Sequence, residues 1–306
     1  MVPRLKSDEA PIAVGAASLQ RIEESCAGVL DPFEIYPDAQ PAHLAENLGW
    51  LAPRFYDPDA RRLILAFQGF VVRSEGRVIL VDTCVGDCKT RTRPVFHQGR
   101  WGWIDRLAAA GLPPESIDLV VCTHFHVDHV GWNTRLRDGR WVPTFPNARY
   151  LFPRRECEYW SGPAGAPGLA RAGDYYADSV APVIEAGLAD LVEPGHVLTG
   201  EVQLREAHGH TPGSVAVAIR SLGASALLAG DVLHTLLQVR YPQWSTRFCV
   251  DPDRSRRTRV AMLEEAADSG TLLVPNHFPG PSFGRIERRG GAFRFHYLGE
   301  TEPVFA

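Results

Sequence analysis

Apolar residues along the chain come in short, dense runs separated by turn-forming residues, the pattern of strands buried on both faces. The clearest case is 63–81, where L-I-L-A-F-Q-G-F-V-V and R-V-I-L-V-D-T flank the turn S-E-G-R and predict a strand–turn–strand unit. Further strands are expected over 10–23, in D-L-V-V-C-T-H, in A-R-Y-L-F (148–152), V-Q-L-R-E-A (202–207), V-A-V-A-I-R (215–220) and A-L-L-A-G-D (226–231), and in T-L-L-V-P-N-H. The segment R-I-E-R-R-G-G-A-F-R-F-H-Y-L predicts a hairpin near the end. A helical period runs through W-I-D-R-L-A-A-A-G, whose terminal Gly suits a cap, and R-R-E-C-E-Y-W reads as a helix start. Y-Y-A-D-S-V-A-P-V-I-E-A-G reads as a helix despite Pro182, and 252–268 as a helix that D-P opens. Residues 161–168 read as a loop, and residues 30–60, rich in Pro, Asp and Ala, as an irregular arm.

Strands therefore alternate with helices while hairpins intrude, which predicts an α/β fold with mixed sheets. No linker divides the chain, so residues 1–60, a strand and irregular arm, are expected to belong to the same domain as a core over 61–306.

Composition narrows the function. A chain of 306 residues with 45% hydrophobic and 22% charged content is an ordinary globular protein with a sizeable core. Its net charge of −4 and pI near 6.3 give no electrostatic case for nucleic acid. One basic run, R-S-R-R-T-R (254–259), begins a predicted helix and reads as a solvated face. The start of the chain, M-V-P-R-L-K-S-D-E-A, carries charges where a secretory leader would be apolar. No apolar run approaches the roughly 20 residues that cross a bilayer. A cytoplasmic protein without membrane partners is the expectation. Six scattered cysteines fit reduced, structural thiols better than a disulfide framework.

The chemistry is concentrated in T-H-F-H-V-D-H, residues 123–129, directly after a predicted strand. Alternation sends His124 and His126 to one side, and the following turn brings Asp128 and His129 from another direction. Four nitrogen and oxygen donors on so short a segment suggest two adjacent divalent cations in place of one. The donors still lacking should stand at other strand ends. His210 in G-H-T-P-G, Asp231 closing L-L-A-G-D and His277 closing L-L-V-P-N-H all do.

Taken in order, V-D-T, T-H-F-H-V-D-H, G-H-T-P-G-S, G-D and P-N-H-F over residues 78–278 resemble the metallo-β-lactamase superfamily. The resemblance implies a four-layer αββα sandwich of two mixed sheets with a dimetal site at one edge. It assigns His124, His126 and His210 to a first metal, Asp128, His129 and His277 to a second, and Asp231 to a bridge between them. Zn2+ is the expected ion, with Mn2+, Co2+ or Fe2+ as alternatives. A hydroxide shared by such a pair is a nucleophile at neutral pH, and Asp128 can orient it or take its proton. Asp82 has two readings, orienting a ligand histidine or loop amide, or capping its own turn.

The bridging Asp231 favours a lactone, ester or phosphotriester with an apolar substituent over a β-lactam, since β-lactamases of the superfamily generally lack it. A β-lactamase or a thioesterase-type hydrolase is the alternative, and after these a non-catalytic binding protein on the same fold. His234 stands where N-acyl-homoserine lactonases commonly carry a tyrosine, and this stretch is more similar to the methyl parathion hydrolase branch. His234 either donates to a developing oxyanion or packs. Aromatic residues cluster around the motifs: Phe125, Trp132, Trp160, Tyr241, Trp244, Phe248, Phe278 and Phe283. Phe125 is expected in the core, and the 241–248 stretch either lines an apolar pocket or packs a dimer surface. The partner implied is a small-molecule substrate, and the 1–60 arm raises a homodimer.

Overall fold

The strand Arg62–Ser74 is buried almost without interruption from Leu63 to Val72, because both of its faces are covered. The computed structural model describes residues 10–300. Within them, Arg62–Ser74 lies inside an eight-stranded sheet whose order runs Ile12–Val14, Ala17–Leu30, Arg62–Ser74, Arg77–Val81, Leu119–Val121, Arg149–Pro153 and Ala189–Val192, with the short strand Tyr56–Asp57 also paired to Arg62–Ser74. A seven-stranded sheet follows, from Val197–Thr199 through Val202–Glu206, Val215–Ser221, Ala224–Gly230, Leu272–Pro275, Gly284–Arg289 and Ala292–Tyr297. Both sheets are mixed: the first turns parallel from Arg77–Val81 onward, and Ala224–Gly230 runs parallel to Leu272–Pro275 in the second.

Period-two alternation builds the layers. Val215, Val217 and Ile219 join Phe70, Val72, Ile79, Val81 and Val121 in the core between the sheets. The intervening Ala216 and Ala218 face the other way, into a cluster with Met262, Leu263 and Ala266 of the helix Pro252–Ser269. Their small side chains let that helix approach. On the first sheet, Leu80, Val120 and Tyr150 face outward against Trp103 and Leu107 of the helix Trp103–Ala109 and Cys157 and Trp160 of the helix Arg154–Ser161. Helix, sheet, sheet, helix is the αββα order that the motifs imply.

Several local expectations change. The opening strand is a hairpin, Ile12–Val14 with Ala17–Leu30, and its second arm continues to residue 30 along Arg62–Ser74. The segment 30–60, read as irregular, contains the helices Pro32–Ile35 and Pro41–Leu51. The 161–168 loop ends inside a helix, Ala166–Ala172, and the helix around Pro182 is two, Tyr175–Ser179 and Ala181–Glu185, divided at Val180. The basic run is not wholly solvated, because Arg259 is buried and donates to the carbonyls of Val232 and Pro242. The helix Pro252–Ser269 begins as predicted, with the Asp251 carboxylate accepting from the Arg254 amide.

Strand register sets the position of everything that follows. Val81 pairs with Val121 and Gly230 with Pro275, so the residues after these strands leave one edge of the sandwich together.

Candidate metal centre

Asp82, immediately after the strand Arg77–Val81, is fully buried and adopts a left-handed φ of 60°. One carboxylate oxygen accepts from the Thr123 amide at 2.7 Å. The other accepts from the Thr123 hydroxyl at 2.8 Å and faces His129 Nδ1 at 2.8 Å. These contacts match the orienting reading of Asp82, toward a histidine and a loop amide together, and not a cap on its own turn. The loop after Asp82 also lies against the histidine loop: the Thr83 amide donates to the His129 carbonyl and the Gly131 amide to Cys84. A Cβ at Gly131 would stand 1.8 Å from the Val85 carbonyl oxygen, so only glycine permits this approach.

The seven donors predicted from sequence converge. Their side chains form two groups, His124, His126, His210 and Asp231, and then Asp128, His129 and His277, with the donor atoms of each group within 4.8 Å of one another. The orientation of Asp231 links the groups. Its Oδ2 faces His210 Nε2 at 3.3 Å and His124 Nε2 at 3.6 Å, while Oδ1 faces His277 Nε2 at 3.0 Å and His129 Nε2 at 3.2 Å. Asp128 approaches His277 Nε2 at 3.6 Å and His129 Nε2 at 3.8 Å.

Four of the five imidazoles are held from behind. His277 Nδ1 donates to the Ala66 carbonyl at 2.9 Å, His129 Nδ1 to Asp82, and His124 Nδ1 lies 3.1 Å from the Thr123 hydroxyl. Because that hydroxyl gives its own proton to Asp82, it accepts from His124 and leaves the Nε2 lone pair of His124 directed inward. His210 Nδ1 lies 3.6 Å from the Cys249 thiol.

Burial, with neighbouring imidazoles, pushes His124 and His126 well below the usual histidine range, so both are neutral. Burial also opposes charge on Asp231, but His129, His277 and His234 outweigh it and hold its carboxyl well below the usual carboxylate range. His126 Nδ1 then lies 2.9 Å from His210 Nε2 and 3.2 Å from His124 Nε2, three nitrogens turned toward one point. His129 Nε2 and Asp231 Oδ1 are buried without a well-directed hydrogen bond. Converging lone pairs and orphaned donors beside three carboxylates are what a divalent cation site requires, and the residues fit one.

A cavity of 590 Å³ opens over this cluster, walled by Leu30, Leu65, Phe67, Phe96, Tyr159, Trp160, Tyr175 and Phe248 together with His126, Asp128, His210, Asp231, His234 and His277. The ring of His234 stacks on His277 with centroids 5.6 Å apart, and its Nε2 lies 3.2 Å from Asp231 Oδ2. Burial drives its pKa down to about 4 against the pull of Asp231, and neither ring nitrogen makes a well-directed hydrogen bond.

Residues 69–289 match the family model of the metallo-beta-lactamase superfamily. The chain belongs to that superfamily. Solved structures agree on the fold. The chain is similar to the hydrolase AbOPH of the beta lactamase superfamily, with 20% identity, a TM-score of 0.82 and coverage of 98% of this chain and 100% of the other. It is similar to AidC, a dizinc quorum-quenching lactonase crystallised with the product N-hexanoyl-L-homoserine, with 18% identity, a TM-score of 0.78 and coverage of 97% and 100%. A probable metal-dependent hydrolase from Staphylococcus aureus is similar at 18% identity and a TM-score of 0.75, covering 95% of this chain and 100% of the other. No curated protein matches.

On this superfamily frame, two buried glutamates that the sequence reading did not single out hold the loops. Glu156 accepts from the amides of Phe125 and Gly213 at 2.9 and 2.7 Å and from the Trp160 indole at 2.8 Å, tying the H-x-H loop to the G-H-T-P-G loop. Glu24 accepts from the amides of Val85 and Gly86 and from the Trp132 indole. Apart from Trp160, one helical turn after Glu156, their partners lie 31 to 108 residues away, so no local spacing marks the loops they hold. The aromatic expectations divide. Phe125 is in the core, edge-on to Phe152, and Trp160 and Phe248 line the cavity. Tyr241 and Trp244 stack on each other at 4.3 Å, beneath His43 of the helix Pro41–Leu51, and are not in the cavity wall.

Proposed function

We propose that the protein is a dinuclear metal-dependent hydrolase that cleaves a lactone, ester or phosphotriester with an apolar substituent. The observation that carries this reading is the split of Asp231, with one oxygen directed to His124 and His210 and the other to His129 and His277. A carboxylate placed so would span two cations, the first held by His124, His126 and His210 and the second by Asp128, His129 and His277. When bound, such a pair supplies acidity that makes water a nucleophile near neutral pH and positive charge that polarises the electrophilic oxygen. The similarity in fold to a dizinc lactonase and to AbOPH supports the same class of chemistry.

The remaining steps belong to the chain's own groups. Asp128, in the cavity wall beside His129 and His277, orients the attacking water and receives its proton. His234 is neutral and carries one N–H with no committed acceptor, suited to a developing negative charge on the substrate oxygen. Phe67, Phe96, Trp160 and Phe248 enclose the apolar substituent and exclude bulk water.

The test combines metal analysis with a substrate panel of acyl-homoserine lactones, aryl esters, methyl parathion and a chromogenic cephalosporin. About two equivalents of zinc or a similar ion per chain are expected, with turnover on a lactone, ester or phosphotriester and its loss in chelator. Asp231→Ala should lower metal content and rate together. Full metal loading without turnover on any of the panel, or an unaltered Asp231→Ala, would overturn the reading.

A further inference from the structure

Besides Tyr159 and Tyr175, the polar side chains of the cavity wall stand at two places, the histidine and carboxylate floor and a rim that carries Arg93, Arg171 and Arg247. The rim is built, not incidental. The segment around Arg93 is pinned to the end of the helix Ala166–Ala172: the Thr92 amide donates to the Ala172 carbonyl at 3.2 Å, and the Thr92 hydroxyl donates to that of Arg171. A Cβ at Gly173 would stand 2.7 Å from the Thr90 carbonyl oxygen, so the two segments meet at a distance that needs glycine. Arg93 lies over the Phe248 ring at 5.3 Å, which holds its guanidinium in place.

These cations are not neutralised from within. Glu34 pairs with Arg247 at 3.0 Å and reaches Arg93 only at 4.0 Å. Arg171 forms no ion pair among the described residues, and its side chain is exposed at the mouth. Three guanidiniums thus face one carboxylate, since the acidic residues of the wall itself, Asp128 and Asp231, stand at the floor against histidines. Guanidinium forks in a half-enclosed, apolar-walled site bind carboxylate and sulfonate through charge-assisted hydrogen bonds.

We infer that the rim recognises an anionic group, so that the preferred ligand is amphipathic, with an apolar body against Phe67, Phe96 and Phe248 and a negative charge at its outer end. As a statement about substrate, this rests on the hydrolase reading; as a statement about binding it does not. The test uses two matched pairs with the zinc-loaded protein. For binding, the anionic dye anilinonaphthalene sulfonate is titrated beside the uncharged phenylnaphthylamine, whose ring system is similar. For turnover, nitrophenyl hexanoate is compared with the nitrophenyl monoester of adipate, which adds a terminal carboxylate to the same chain.

The double variant Arg93→Ala/Arg171→Ala should weaken the anionic dye about tenfold more than the neutral one. It should raise KM for the adipate ester by a similar factor relative to the hexanoate, with kcat little changed. Arg171→Glu should reverse the preference. Equal loss for both members of each pair, or a wild-type preference for the neutral members, would overturn the inference. Should neither ester be hydrolysed, the hydrolase reading loses its ester branch, and the dye pair still decides the rim.

Discussion

Asp82 and His129 meet at 2.8 Å between a carboxylate oxygen and Nδ1, both side chains fully buried. The contact fixes one imidazole proton on Nδ1 and turns Nε2 toward Asp128 and Asp231. Burial opposes charge on the ring, but Asp231, Asp82 and Asp128 outweigh it and hold His129 well above the usual histidine range, so a bound cation would take the place of a proton on Nε2. Asp82→Asn should disturb this more than its size suggests. An amide nitrogen turned to His129 would move the imidazole proton to Nε2, and turned to Thr123 it would face a donor. Metal affinity should fall about 10–100-fold, as for loss of a carboxylate behind a ligand histidine. Competition with a chromogenic chelator reads this directly, and wild-type affinity in the variant would refute the role.

Glu156 is a matter of folding as much as of the site. Glu156→Ala leaves three buried donors, the Phe125 and Gly213 amides and the Trp160 indole, without acceptors. A loss on the order of 3 kcal/mol is expected, read as a lowered urea midpoint at constant slope. A midpoint within error of wild type would mean that water replaces the carboxylate.

Cys249 should be needed for its contact and not for sulfur as such. Its Sγ lies 3.6 Å from His210 Nδ1 and 3.3 Å from the Ser255 hydroxyl. Cys249→Ala should weaken metal binding about tenfold by freeing the imidazole, and Cys249→Ser should restore most of it. Equal affinity in all three proteins would leave Cys249 a packing residue.

Lys89 predicts a pH effect on stability away from the site. Its ammonium is buried, 3.5 Å from the Trp141 ring centroid and 2.6 Å from the Thr134 hydroxyl. Burial pushes its pKa down to about 7 despite the pull of Asp178. The unfolded chain, with an ordinary lysine near 10.5, then binds more protons than the native state between these values. Stability contributed at this position is full above the ordinary value and is lost as pH falls toward 7. The difference in unfolding free energy between wild type and Lys89→Met should therefore rise from pH 7 to 9.5, by at most about 1.4 kcal/mol per unit. A flat difference over that range would show that the ammonium keeps its proton in the folded protein.

The donors were legible in sequence because each obeys a local rule. Four stand together in T-H-F-H-V-D-H, Asp231 and His277 each close an apolar run, and His210 follows the alternating strand V-Q-L-R-E. The two sheets were legible for the same reason, since burial on both faces writes itself as near-continuous apolar runs in Val215–Ser221 and Ala224–Gly230. The helix Pro41–Leu51 was not, because only Asn47 and Leu51 are buried and no apolar stripe marks it. The polar stretch E-E-S-C-A-G hid the second half of the strand Ala17–Leu30, which includes the buried Glu24. Glu24 and Glu156 act across the fold on backbone amides, and an amide has no sequence identity to search for.

Asp82, His124, Asp231 and His277 follow the ends of paired strands in the middle of the two sheets, while the rim arginines and Phe248 sit on the helix Ala166–Ala172 and on loops outside the sheets. Drift in those connections can reshape the entrance without touching the tools inside. A lineage inheriting this frame is free to change its diet while keeping its teeth.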